Sequence, residues 1–150
     1  MKTNFIKSFL VVIVFVVFLV CYHFWTAVSF YNIKYVKLTG QSIKVDLAFT
    51  PATQEQGLSG RSELKENEGM LFIFSETGQY SFWMKGMNFS IDIIWISEDM
   101  KVVYIKKDAK PELYPETYKP EKDAKYVLEV VSGFSEKNNL KEGDKVLFTY

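Results

Sequence analysis

Residues 82–96 read FWMKGMNFSIDIIWI, and the last six of them decide the fold. Along an extended strand successive side chains alternate between two faces. Ile91, Ile93 and Trp95 share one face, and Asp92, Ile94 and Ile96 share the other. Both faces are apolar, so the segment predicts an inner strand covered on two sides, with a carboxylate buried inside it. A carboxylate buried without donors is costly or gives up its charge, so Asp92 demands partners.

The same pattern recurs in KYVLEVV, residues 125–131. There Glu129 shares a face with Val127 and Val131, opposite Tyr126, Leu128 and Val130. Further runs of strand length, rich in β-branched and aromatic residues, occupy 43–49, 70–74, 80–84, 101–105 and 145–150. Between them lie polar, turn-sized connections such as SEDM and KEGD. At TPATQEQG, Thr50 is placed as an N-cap, Pro51 as the first helical residue and Gly57 as the stop, which predicts a short helix. Residues 107–124 carry three prolines and nine charges and are expected to form a solvated surface loop. Tyr114 and Tyr118 on that loop are expected either to pack back onto the domain or to meet a partner. These features predict a mainly β, antiparallel domain, barrel-like or folded over on itself, with one or two short helical turns.

Seventeen lysines stand against a single arginine, Arg61, in the loop-like GLSGRSEL. A planar guanidinium donates in a fork that an ammonium cannot reproduce. We therefore expect Arg61 to pair with Asp92 or Glu129 at one end of the barrel. Such a trio reads either as a structural polar network or as a ligand-binding or acid/base site.

N-terminal to the strands, residues 8–33 carry no formal charge and are dominated by Phe, Val, Leu and Ile. Roughly 20 apolar residues span the hydrocarbon of a bilayer as a helix. The chain is therefore divided into a cytoplasmic tail (1–7), a transmembrane anchor (8–31), a linker with the first strand (32–42) and an extracytoplasmic β domain (43–150). Lys2 and Lys7 ahead of the span put the N-terminus inside and the domain outside the cytoplasmic membrane. Secretion after cleavage near Ser29 is the alternative, because Ala27 and Ser29 form a small-x-small pattern.

All eighteen acidic residues follow residue 31, against sixteen of the basic ones, leaving residues 32–150 at a net −2. No basic stripe exists to neutralise phosphates, which argues against nucleic acid as a partner. Cys21 and His23, the only residues of their kinds, both fall in the apolar segment. The domain thus offers no thiol, imidazole or disulfide, and no zinc site built on them. No cofactor is expected. Trp83, Met84 and Met87, with Met70 or Met100 added, offer a soft thioether set for copper(I), but methionine is more commonly core filler and no metal site is expected.

AFTPATQEQGLSGR, EGMLFIF, FWMKGMNFSIDIIWI and YVLEVVSG followed by EGDKV resemble, in order and spacing, the domain of unknown function 192 family. The resemblance covers residues 43–149 and implies a compact, mainly β domain, often exported or membrane-anchored in prokaryotes. It implies no activity. Its characteristic positions fall on Gly57, Leu58, Arg61, Gly69, Met70, Phe72, Trp83, Met84, Asp92, Glu129, Gly133, Gly143 and Asp144. Two departures stand out: Ser59 where Met is usual after Gly-Leu, and Gly86-Met87 where Asn-Thr usually follows Trp-Met-Lys.

The resulting expectation is a membrane-anchored, non-catalytic envelope module. It would bind a small ligand, an envelope polymer or a protein through a rim formed by Arg61, Trp83, Lys85 and Asp92, with Glu129 in the polar network. The alternative is an enzyme in which Asp92 and Glu129 serve as acid and base while Arg61 or Lys85 orients an anionic substrate.

Overall fold

Helix α1, at residues 11–22, is exposed along its whole length. The computed structural model describes residues 11–22 and 32–150, and the chain divides into two units, Met1–Ile33 and Lys34–Tyr150. No helix among the described residues is long and apolar enough to cross a membrane. The expected anchor at 8–31 runs past them. Lys2, Lys7, Ala27 and Ser29, which carry the orientation and cleavage arguments, lie outside the described residues, as does His23.

The second unit is mainly β. Its strands are β1 (Tyr35–Leu38), β2 (Gln41–Ala48), β3 (Glu68–Gly78), β4 (Phe82–Trp83), β5 (Ile91–Ile96), β6 (Val102–Ala109), β7 (Thr117–Tyr118), β8 (Ala124–Val131) and β9 (Leu147–Thr149). Seven form one sheet in the order β6-β5-β8-β3-β2-β1-β9, and β4 and β7 make a separate pair. The large sheet curls into a half-barrel. An isolated bridge between Lys101 and Lys145 then ties the start of β6 to the segment leading into β9.

As the alternation of IDIIWI predicts, every residue of β5 is buried, between β6 and β8. The short helix α2 (Pro51–Gln56) also forms as its sequence dictates. The Thr50 side chain accepts from the Thr53 N–H while Thr53 Oγ1 accepts from the Thr50 N–H, Pro51 fills the first turn, and Gly57 ends the helix at φ +50°. A third helix, α3 (Phe134–Lys137), follows β8.

Three expectations are corrected. Pairing is not antiparallel throughout: β2 and β3 run parallel, from Lys44↔Glu68 to Ala48↔Phe72. Parallel neighbours cannot be joined by a hairpin, so residues 49–67 make a crossover that carries α2 and Arg61. Residues 80–84 give only the two-residue β4, outside the main sheet. Nor is the 107–124 segment wholly a solvated loop. Its first residues extend β6, and Tyr118 in β7 pairs with Phe82 and is only 5% exposed. An aromatic among prolines and charges found apolar surface to cover.

The apolar core on one side of the sheet joins Phe72, Met70, Ile91, Ile93, Trp95 and Val127 to Leu58, Leu64, Met84 and Tyr118 from the crossover and the small sheet. Trp95 is fully buried, and its indole N–H donates to the Tyr80 carbonyl at 2.9 Å.

Candidate functional site

Strand register assigns the two buried acids to opposite faces. Glu129 on β8 is paired with Ile93 on β5 and Met70 on β3, and Met70 with Asp46 on β2. Directly paired residues point the same way, so Ile93, Glu129, Met70 and Asp46 form a row across the core-bearing face. Asp92 is paired with Val130 and therefore points to the other face. The two carboxylates cannot work as an acid and base on one substrate.

Asp92 is fully buried and fully engaged. Its Oδ1 accepts from the Asp108 N–H at 2.9 Å and the Gly133 N–H at 3.3 Å, and Oδ2 accepts from the Ser135 N–H at 2.8 Å. These donors come from irregular backbone. The β5–β6 register slips by one residue between Ile91↔Ala109 and Ile93↔Lys106, and Asp108 at that bulge has φ +47°. Gly133 and Ser135 belong to the turn into α3. A bulge and a turn both leave amides without sheet partners, and the carboxylate serves them.

Arg61 does not pair with either acid. Its Nη2 meets Asp46 Oδ2 at 2.7 Å, in a pair that is partly exposed on both sides. The row explains its position, since Asp46 lies two strands from Glu129, about 10 Å at sheet spacing. The guanidinium thus sits within electrostatic reach of Glu129 but holds another partner.

Glu129 is only 4% exposed, and its Oε2 has no hydrogen-bond partner among the described residues. Burial pushes its carboxyl up to about 8, and the nearby Arg61 charge opposes this without cancelling it. Its side chain lines the floor of a cleft of about 130 Å³. One wall is the end of α2 with Gly57, Leu58 and Ser59; the other is Phe72 and Phe74 of β3 with Tyr80, Phe82 and Trp83. The aromatic wall is braced internally. Phe74 stacks on Tyr80, and Phe82 meets Phe72 and Trp95 edge-on.

Gly57 opens the way to the carboxyl. A Cβ there would stand 3.3 Å from Phe72 Cζ and 3.9 Å from Glu129 Oε2, on a backbone at φ +50° that L side chains rarely adopt. Behind Glu129, Gly69 permits close sheet packing: its Cβ would lie 2.7 Å from the Glu129 carbonyl oxygen.

Trp83, 47% exposed, lines both this cleft and a shallower groove of about 390 Å³ that includes Lys85 and Gly86. Lys85 Nζ stands 5.6 Å over the Trp83 ring, and Tyr114 packs against that ring edge-on. The crossover is stitched to this rim. Ser59 Oγ donates to the Lys85 carbonyl at 2.7 Å, the Gly60 N–H to the Gly86 carbonyl, and Asn88 Nδ2 to the Arg61 carbonyl.

Comparison with known proteins identifies this architecture. The model of the uncharacterised ACR family, domain of unknown function 192, matches residues 34–148. The chain belongs to the DUF192 family. No curated protein matches the chain. Among solved structures, the DUF192 domain resembles a protein of unknown function from Novosphingobium aromaticivorans DSM 12444, at 32% identity and a TM-score of 0.73, over 77% of this chain and 84% of that one. It also resembles a protein from Sinorhizobium meliloti 1021 provisionally named a transcription regulator, at 29% identity and a TM-score of 0.71, over 76% and 92%. The two departures from the family's residues, Ser59 and Gly86, turn out to touch. A Cβ on Gly86 would lie in ordinary van der Waals contact with Ser59 Cβ, at 3.4 Å, and it is the φ of +67° that favours glycine there.

Of the residues proposed from sequence, Trp83 and Glu129 line the cleft, Lys85 lines the adjoining groove with Trp83, Arg61 lines neither, and Asp92 is on the opposite face of the sheet. Met70 and Met84 lie in the core, Met87 lines the cleft, and Met100 occupies the turn between β5 and β6. Phe74, Tyr80, Phe82 and Gly57 also line the cleft, and nothing in their local sequence marks them as lining residues. Phe72 and Phe74 do share a strand face in MLFIF, which marks them as neighbours but not as the wall of an opening.

Proposed function

We propose that this DUF192 domain is a non-catalytic binding module that takes a small ligand into the aromatic cleft above Glu129, held outside the cytoplasmic membrane by residues 8–31. The observation carrying the first part is a buried carboxyl that faces a cleft without a hydrogen-bond partner among the described residues. Buried polar groups are nearly always satisfied, and an exception facing an opening marks a place where something else supplies the partner. The second part is supported by the charge-free apolar segment and by Lys2 and Lys7 ahead of it.

The acid/base reading loses its geometry because Asp92 and Glu129 occupy opposite faces and both Asp92 oxygens already accept from backbone N–H groups. The name attached to the Sinorhizobium relative does not transfer well, since this domain has a net charge of −2 where a nucleic-acid binder needs basic surface.

Amide NMR of the protein during a fragment screen tests the cleft. Fragments should move signals of Gly57, Leu58 and Phe82, and a screen that leaves all three unmoved would sink the proposal. Protease added to intact spheroplasts tests the placement: the β domain should be digested, and full protection would put it inside.

A further inference from the structure

Resting on the binding-module reading, we infer that the cleft is built for a small organic cation, an ammonium group with its methyl or methylene substituents, which replaces the acidic proton of Glu129 on binding. Three observations carry this. The first is the sign of the lining. Glu55 and Glu129 both line the cleft, and no lysine, arginine or histidine does so among the described residues. Arg61 is neutralised by Asp46 at 2.7 Å, and Lys85 stands at the rim over Trp83.

The second is the wall. Trp83, Tyr80 and Phe82 line the cleft, and aromatic rings attract cations, as Lys85 over Trp83 already shows at the rim. The third is size. A volume of about 130 Å³ is room for about four waters. That suits an ammonium head with its methyl substituents.

The exchange balances. The empty site holds a carboxylic acid; a cation enters, the O–H bond of Glu129 breaks, the electron pair stays on the carboxylate oxygen, and the proton leaves to water. Net charge in the cleft is unchanged, so no unpaired buried charge arises at either end. The groups facing Glu129 leave this titration to Glu129 itself. Ile93 and Met70 flank it in the sheet; Lys106 on β6 lies beyond Ile93 over the Tyr118 ring; Asp46 with Arg61 lies beyond Met70; Glu55 and Tyr80 face it across the cleft. With the carboxyl at about 8, only a small fraction is ionised at neutral pH. Apparent affinity for a cation scales with that fraction and should tighten roughly fifty-fold from pH 6 to pH 8, then level off.

The test uses the full chain in nanodiscs of phosphatidylglycerol, which carries no ammonium, and follows the cleft amides by NMR. Choline is titrated at pH 6, 7, 8 and 9, alongside its uncharged analogue with carbon in place of the ammonium nitrogen. Choline should bind with the stated pH trend, the analogue should not, and both Glu129→Gln and Trp83→Ala should weaken binding, Glu129→Gln also flattening the trend. Retained amide dispersion certifies that each variant is folded, and if Glu129→Gln is not, Trp83→Ala and the pH series carry the test. A second arm replaces the lipid with phosphatidylcholine: cleft shifts without added choline identify a lipid headgroup as the source of the ammonium, and shifts only with free choline identify a soluble amine. Equal binding of choline and the analogue, or affinity that is flat or falls with pH, overturns the cation and leaves the binding cleft standing. Silence of the cleft amides to both compounds in both lipids overturns the two together.

Discussion

Asp92 and Glu129 sit on neighbouring strands of one sheet, both almost wholly buried, and they have opposite fates. Asp92 is surrounded by three backbone amides from a bulge and a turn. Glu129 Oε2 has no partner among the described residues and faces an opening. Burial of a charge-bearing group therefore does not by itself mark a functional site. What separates the two is whether the fold supplies donors, and here the fold supplies them on one face of the sheet only.

The largest expected effect falls on the satisfied acid. Asp92→Ala leaves three amides without an acceptor and should cost about 3–5 kcal/mol, measured by urea denaturation. A loss below about 1 kcal/mol would erase the contrast between the acids.

For Glu129 the effect depends on pH, and its sign is opposite. Its folded pKa of about 8 lies above the ordinary 4.5, so the folded state binds the proton more tightly than the unfolded one. Stability then falls as pH rises from 4.5 to about 8 and is level beyond it. Glu129→Gln should change little near pH 5 and exceed wild type by about 2–4 kcal/mol at pH 9. Parallel stability curves for the two proteins would show that the carboxyl has a partner after all.

Smaller effects sharpen the geometry around the cleft. Gly57→Ala meets both a positive φ and Phe72 at 3.3 Å, and about 1–2 kcal/mol of destabilisation is expected from thermal unfolding. Smallest in stability is Arg61→Gln, which breaks a half-exposed ion pair worth less than about 1 kcal/mol. The same change removes the charge that holds Glu129 down, so its pKa, read by carbon NMR of the carboxyl, should rise. An unmoved or lowered value would mean that Arg61 does not act on Glu129.

How much of this was legible in advance differs from residue to residue. The β5 strand and its double burial follow from alternation in IDIIWI, because a period of two needs no knowledge of neighbours. Helix α2 was equally readable, its cap, proline and terminating glycine all lying within eight residues. Arg61 was expected to pair with Asp92 or Glu129, and it pairs with Asp46 instead. Scarcity of arginine says that a guanidinium is wanted, while its partner is fixed by the parallel β2–β3 pairing that sets Asp46 beneath the crossover. Tyr118 packs back onto the domain, one of its two expected fates, while the segment around it reads as solvated because composition records charges and prolines and cannot record the apolar surface that β4 and the core present from elsewhere in the chain.

The sequence by itself determined the local elements: strand periodicity, the capped helix, the two acids placed among apolar neighbours, and the apolar N-terminal segment. All of these rest on interactions between residues a few positions apart. Only the tertiary structure decided which acid would be satisfied. The donors to Asp92 lie 16, 41 and 43 residues away, and the cleft over Glu129 is closed by a crossover some seventy residues earlier in the chain. Register across a sheet is set by the packing of all its strands at once, and a carboxylate meets its partners only when that packing is complete.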